Sequence, residues 1–231
     1  MLDIRNLHGG WGPTVIVEDF SLSVPAGETV AIIGRNGVGK STLLELLVGR
    51  ASRHKGEIRL NDNDISGLPI HERTIRGLAY VPQQREVFPS LTVREHLAIA
   101  ARPGRWTEEV VFSLFPRLAE RRNSLGRHLS GGEQQMLAIA RALLTNPGVI
   151  LMDEPSEGLA PVVVEQLIEA IRRLVGDGAL SVLLVEQRID IALDLSTRCI
   201  VMDRGRIAHQ GASADFKSGA SDLAELLGLG H

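Results

Sequence analysis

Residues 34–42 read GRNGVGKST, a G-x-x-x-x-G-K-S pattern lying between an apolar run, VAII, and a helical one, TLLELLVG. Such a loop suits one chemistry. Gly34, Gly37 and Gly39 let the backbone wrap until its N–H groups point at phosphate oxygens. The helix start near Lys40 adds the positive end of its dipole. Lys40 reaches the outer phosphates, Asn36 lies within the loop, the Ser41 hydroxyl suits magnesium and Thr42 the α-phosphate. A second group, VILMDEP at 149–155, ends an apolar run with two carboxylates. Asp153 is placed to hold the metal through water, and Glu154 to polarise an attacking water. Phosphoryl transfer needs positioning and charge neutralisation more than covalent chemistry, and these parts supply both. No N-K-x-D motif for reading guanine is present, so adenine held by stacking is expected.

A third stretch, HLSGGEQQ at 128–135, opens the helical run MLAIARALL. Ser130 and Glu133 form a capping box, which does not explain the two adjacent glycines. Gly131 and Gly132 permit close approach of an anion to the helix start, with the Ser130 hydroxyl as a further donor. One triphosphate would then have two half-sites. If these lie far apart in the chain, a head-to-tail dimer satisfies both.

The elements that must position these residues are legible in outline. LDIRNL, FSLSV, ETVAIIG and GEIRLN read as strands, and LAYVPQ as a short strand ending at Pro82. From Thr92 the pattern turns helical: TVREHLAIAA opens with a Thr92–Glu95 capping box, and EEVVFSLFPRLAERR continues it. VILMD and SVLLVE are continuous apolar runs, as strands buried on both faces require. PVVVEQLIEAIRRLV is a helix with Pro161 in its first turn. RCIVMDRGRIAHQG reads as a hairpin turning near Asp203–Gly205, and the end from Ala212 as short helix. This predicts one α/β domain over residues 1–231, with buried parallel strands, an antiparallel β portion and an inserted helical subdomain at about 90–145.

Composition sets outer bounds. At 231 residues, 44% of them hydrophobic, the chain can bury a sizeable core; aromatics at 3% make that core aliphatic. A net charge of −3 argues against a nucleic-acid binder. The basic run RLAERRNSLGRH at 117–128 lacks aromatics for stacking bases, and reads as a solvated face or a surface near a membrane partner. The single Cys199 excludes an intrachain disulfide. No signal pattern or bilayer-length apolar run is visible, so a soluble, cytosolic protein is expected, with any membrane part on another chain.

GRNGVGKST, LSGGEQQ and VILMDEP, in that order, resemble the ATPase subunits of ABC transporters, and the resemblance covers essentially the whole chain. It implies a P-loop NTPase core, ATP and Mg2+ as cofactors, and two ATP molecules closing a dimer. It also carries over roles. Trp11 matches the aromatic that stacks on adenine, although a lone Trp in a loop is also a packing residue. Gln83 in YVPQQ matches the glutamine that touches magnesium, with Gln84 beside it as the other register. Ser41 and Asp153 match the remaining metal contacts, Glu154 the base, and Ser130, Gly131 and Gly132 the contacts to the opposite chain's ATP.

Two positions depart from the general pattern. Ala160 stands where the dimer-contacting loop usually ends in Asp, and Gln187 where a switch histidine is expected. A Gln amide can donate to a γ-phosphate but cannot carry a proton charge; as a strand-end polar residue it would need no such role. FPSLTVREHL, LFPRLAERR, DEPSEGLAP and LLVEQ together are similar to the smaller ATPase of branched-chain amino-acid importers (LivF type). They are similar also to the urea and short-amide importer ATPases. The resemblance implies membrane-spanning permease subunits, a second ATPase or a homodimer, an external substrate-binding protein and a place at the cytoplasmic face of the membrane. A soluble ABC ATPase of DNA repair or translation would usually carry long coiled-coil insertions or two fused cassettes, and a P-loop kinase would have no use for LSGGEQQ. A nucleotide-binding module with weak hydrolysis is the rival that Gln187 and Ala160 motivate.

Overall fold

The computed structural model describes residues 1–176 and 178–218. The N-terminal strands form an antiparallel sheet. Strand β1 (Leu2–Trp11) pairs on one side with β2 (Thr14–Val24) and on the other with β4 (Ser52–Leu60), which pairs with the two-residue β5 (Asn63–Asp64). Short helix α2 (Ile70–Ile75) follows.

The second sheet has six strands. Strands β9 (Arg198–Asp203), β3 (Thr29–Ile33), β8 (Ser181–Glu186), β7 (Val149–Asp153) and β6 (Leu78–Val81) lie side by side and parallel, and β10 (Arg206–Ala212) adds an antiparallel edge. Every residue of β3, β7 and β8 is buried, which explains their unbroken apolar runs. Alternate side chains serve opposite cores. Leu183 and Val185 join Val149 and Leu151 beneath the antiparallel sheet and helix α1 (Lys40–Val48); Val182 and Leu184 join Ile150 and Met152 against the helices of the other face. Leu78 and Tyr80 of β6 fall on the α1 side by the same rule.

Helices α3 (Val93–Ala100), α4 (Glu108–Leu114), α5 (Pro116–Glu120) and α6 (Gly131–Leu143) follow one another between β6 and β7. The Thr92–Glu95 capping box forms at the head of α3. The long helical run expected at 108–122 is two helices, because Pro116 has no N–H to continue the ladder and begins a new helix instead. Helix α7 (Pro161–Val175) starts at its proline as expected. Helices α2 and α8 (Ile189–Leu195) and strand β5 have no counterpart in the sequence reading, being too short to show a period. Helix α9 (Ser213–Ser218) begins the C-terminal helical expectation, whose remainder lies outside the described residues.

The turn of the β9–β10 hairpin bears on the phosphate loop. Arg204 and Gly205 have φ of 44° and 78°, the paired left-handed geometry of a two-residue hairpin. Gly205 N–H donates to Val38 O at 2.8 Å, inside the GRNGVGKST loop, and Gly205 O accepts from Glu18 N–H at 3.0 Å. A Cβ on Gly205 would sit 1.9 Å from Ile16 O. Gly205→Ala therefore forces the hairpin off β2 and off the loop. We expect it to cost about 2–3 kcal/mol, read as a fall in melting temperature of roughly 5–10 °C. An unchanged melting temperature would refute the close approach.

Candidate functional site

The parallel register brings the two chemical groups together. Strand β3 delivers Gly34 to its C-terminal end, and β7, one strand away across β8, delivers Asp153 to the same edge. The loop between β3 and α1 turns through Gly37 and Gly39, with φ of 79° and 107°, and α1 begins at Lys40. Lys40 is buried with 4% exposure. Its Nζ donates to Gly34 O at 2.9 Å and Arg35 O at 3.1 Å, and lies 3.5 Å from Glu154 Oε1. A buried ammonium must be matched in this way.

Both carboxylates are tied to the start of α1, Glu154 lining the cleft and Asp153 lying outside its lining. Ser41 Oγ donates to Asp153 Oδ1 at 3.0 Å. Burial pushes the Asp153 carboxyl up to about 6, against the Ser41 hydrogen bond. Glu154 has a left-handed backbone, φ 46°, which turns it out of the strand toward Lys40. Gln187, just beyond β8, donates from Nε2 to Glu154 Oε2 at 2.5 Å. Asn36, Gly37, Gly39, Lys40, Ser41, Thr42, Gln83, Glu154 and Gln187 line one cleft of about 430 Å³, together with Ile16 and Glu157. Among the described residues no cluster of three or more His, Cys, Asp or Glu side chains could cage a metal. The donor set fits a hard divalent cation that takes a few protein oxygens and completes its shell with water and phosphate, as Mg2+ does.

Trp11, Ser130, Gly131 and Gly132 sit elsewhere. Ser130, Gly132 and Glu133 line a different hollow, of about 560 Å³, with Arg117, Arg121 and Val163. The Ser130–Glu133 capping box is formed, and Ser130 itself is exposed. The glycine pair has a partly internal explanation. A Cβ on Gly132 would meet Val163 Cγ1 at 2.4 Å, so this glycine is where α7 packs on α6. Gly131 faces only the Arg85 guanidinium, 3.2 Å from where its Cβ would be. Trp11 ends β1 at 50% exposure and is not among the residues lining the phosphate cleft. Gln84 and Ala160 are likewise outside that lining.

Several groups at the site escape sequence reasoning. Gln83 donates to the Glu157 carboxylate, and Arg85 reaches Glu157 O at 3.2 Å and Gln135 Oε1 at 3.2 Å. Glu157 belongs to SEGLAP, whose departure from pattern was the available signal. Tyr80 OH lies 3.3 Å from Asp153 Oδ2, and nothing in the sequence points to it beyond its being the chain's one tyrosine. Glu186, at 1% exposure, accepts from Ser156 N–H at 3.1 Å and braces the turn after Glu154.

Residues 17–157 match the ABC transporter family. The chain belongs to that family. It is a transporter ATP-binding subunit, and an ATPase. The cassette is 41% identical over 222 residues to the high-affinity branched-chain amino acid transport ATP-binding protein BraG of Pseudomonas aeruginosa, covering 93% of this chain and 94% of that one. It is 38% identical to the probable branched-chain amino acid transport ATP-binding protein LivF of Archaeoglobus fulgidus, covering 94% of each. It is also 35% identical to the lipopolysaccharide export system ATP-binding protein LptB of Escherichia coli, over 93% of this chain and 92% of that one. Among solved structures, a dimeric ATP-binding cassette in a post-hydrolysis state with ADP and Pi superposes with a TM-score of 0.80. Its identity is 27%, and the match covers 92% of this chain and 99% of that one. Among the described residues no helix is long and apolar enough to cross a membrane.

The cassette's buried carboxylates give a pH dependence with a defined sign. Burial lifts Glu186 above its usual range, opposed by N–H donation from Ser156 and Arg188. A carboxyl raised on folding leaves stability intact below its unfolded value and costs stability as pH rises through its folded value. Glu186→Gln removes that charge. The melting temperature of the variant, measured against that of the parent, should therefore move in the variant's favour from pH 4.5 to pH 8. Parallel curves would show that the buried charge has no such cost.

Proposed function

We propose that this cassette energises an importer of branched-chain or other hydrophobic amino acids, hydrolysing ATP with Mg2+ at the cytoplasmic face of the membrane. The observation that carries the hydrolytic reading is the convergence of Lys40, Ser41, Glu154 and Gln187 on one cleft, with Asp153 hydrogen-bonded to Ser41. Near-full-length identity to two branched-chain amino acid transport ATP-binding proteins supports the substrate class. Its partners are membrane-spanning permease subunits, a second ATPase or another copy of itself, and an external substrate-binding protein.

The residues divide the work. Backbone N–H groups of the loop from Gly34 to Gly39 cradle the phosphates, and Thr42 adds a hydroxyl. Lys40 exchanges its contacts to Gly34 O and Arg35 O for the outer phosphate oxygens. Ser41, Asp153 and Gln83 would hold Mg2+, which would offset charge on the transferring phosphoryl group. Glu154 accepts a hydrogen bond from the attacking water and orients it in line. Gln187 holds Glu154 in place and donates to the γ-phosphate, taking no part in proton transfer. Trp11, exposed at the end of β1, stacks on adenine. Ser130, Gly131 and Gly132 cap the γ-phosphate bound by the other subunit.

Two observations favour neighbouring readings. The VPQ and SEG segments resemble those of urea and short-chain amide importer ATPases. Glu154 engages both Lys40 and Gln187, and a base so tied would suit a nucleotide-binding module with weak hydrolysis. One reconstitution separates them. In proteoliposomes with permeases and binding protein, ATP turnover should rise on adding leucine, isoleucine or valine, and not with urea or acetamide. Glu154→Gln should lower kcat at least 10²-fold with ATP affinity kept. Stimulation by urea alone would transfer the cassette to the amide reading. Turnover unaffected by Glu154→Gln would overturn the role of Glu154.

A further inference from the structure

Tyr80 lies at the end of β6, between the metal-facing side of the site and helix α1. Its hydroxyl is 3.3 Å from Asp153 Oδ2 and 3.2 Å from Glu45 Oε1. A phenol has one proton to give. Burial raises the Tyr80 hydroxyl far above its usual range, so it stays a donor throughout the working pH range. Two carboxylates therefore compete for a single proton.

Each competitor has other ties. Asp153 is held at Oδ1 by Ser41, the residue that faces the metal position. Glu45 has one oxygen buried without a hydrogen-bond partner, and its Oε1 lies 3.8 Å from Arg50 Nη1. Arg50 in turn grips Glu86 with both ends of its guanidinium, at 2.7 and 2.9 Å, and lies 5.3 Å from the Tyr80 ring centre. Glu86 sits three residues beyond Gln83, and its carbonyl accepts from Arg141 of α6 at 2.7 Å. Arg50, Tyr80 and Arg141 all line a groove of about 270 Å³ that also holds Ile70 of α2 and Ala100 of α3. An unbroken set of charged and hydrogen-bonded side chains thus runs from the phosphate cleft to that groove.

We propose that Tyr80 is a positioning residue which reports occupancy of the phosphate cleft along Glu45, Arg50 and Glu86 to the segment following Gln83. Without nucleotide, its proton is shared between Asp153 and Glu45. With a metal ion held beside Asp153, that carboxylate would be drawn away and the Tyr80 O–H would donate to Glu45 alone. Glu45 is then fixed against Arg50, and Arg50 against Glu86. The segment 83–91 tightens as a result. The inference rests on the reading of Ser41 and Asp153 as metal-holding residues, and adds a route out of that site.

Hydrogen–deuterium exchange of the segment 83–91 tests it in the full chain, using a non-hydrolysable ATP analogue with Mg2+ or with EDTA. The parent should show exchange about tenfold slower with analogue and Mg2+ than with analogue and EDTA, the size of one hydrogen bond to a charged group. Tyr80→Phe keeps the ring and removes the proton. It should bind the analogue yet lose the Mg2+-dependent slowing. Glu45→Gln, which cuts the ion pair to Arg50 and leaves the phenol intact, should lose it too. A purely structural role for Tyr80 would raise exchange equally with and without Mg2+. That result, or full slowing in Tyr80→Phe, overturns the proposal. A parent that fails to bind the analogue with Mg2+ would overturn the metal-site reading itself and the relay with it.

Discussion

The buried ammonium of Lys40 organises this structure. A charge at 4% exposure has to be matched by polar groups or it would unfold its surroundings. It is matched by two carbonyls of its own loop and by a carboxylate from a distant strand. The loop carbonyls can serve only because Gly37 and Gly39 adopt left-handed backbone. The carboxylate is in reach only because β3, β8 and β7 are parallel and in register, so that their C-terminal ends open on one edge. The three fully buried strands exist to hold that edge. The cleft is therefore shaped around a cation already in place, and an incoming phosphate exchanges partners with it without having to organise it.

What was legible in the sequence was local. The phosphate loop, the Asp153–Glu154 pair, the Thr92 capping box and the Gly205 turn each depend on residues within a few positions of one another. Family and ATPase chemistry followed from their order along the chain. What was not legible depends on tertiary approach. Gly132 faces Val163 across a helix pair, so part of the SGG signature is packing that spacing cannot reveal. Tyr80 meets Glu45 and Asp153 only because β6 turns alternate side chains toward α1. Glu157 is reached from Gln83 across more than seventy residues of chain. The run at 108–122 read as one helix because its apolar spacing continues through Pro116, where the hydrogen-bond ladder cannot.

The distribution of polar groups also shows where the cassette is incomplete. The phosphate cleft has cation, carboxylates and loop, but the exposed Ser130 and the hollow beside it lie outside it, with Arg117 and Arg121 on their rim. At this helix start the Ser130 hydroxyl accepts from Glu133 N–H at 3.3 Å and the Arg85 guanidinium stands beside Gly131; on the proposed reading it is the half-site for the other subunit's nucleotide. The two surfaces are complementary in chemistry and separate in one chain, which is the condition under which a second subunit brings them together.

The most direct measurement is therefore the mass of Glu154→Gln by light scattering, with and without ATP and Mg2+. On the role proposed for Glu154, the substitution keeps the cleft and blocks activation of the water. An ATP-dependent shift from monomer to dimer is expected, abolished by Ser130→Arg without loss of ATP binding. ATP binding by a chain that stays monomeric, or a dimer indifferent to Ser130→Arg, would contradict it.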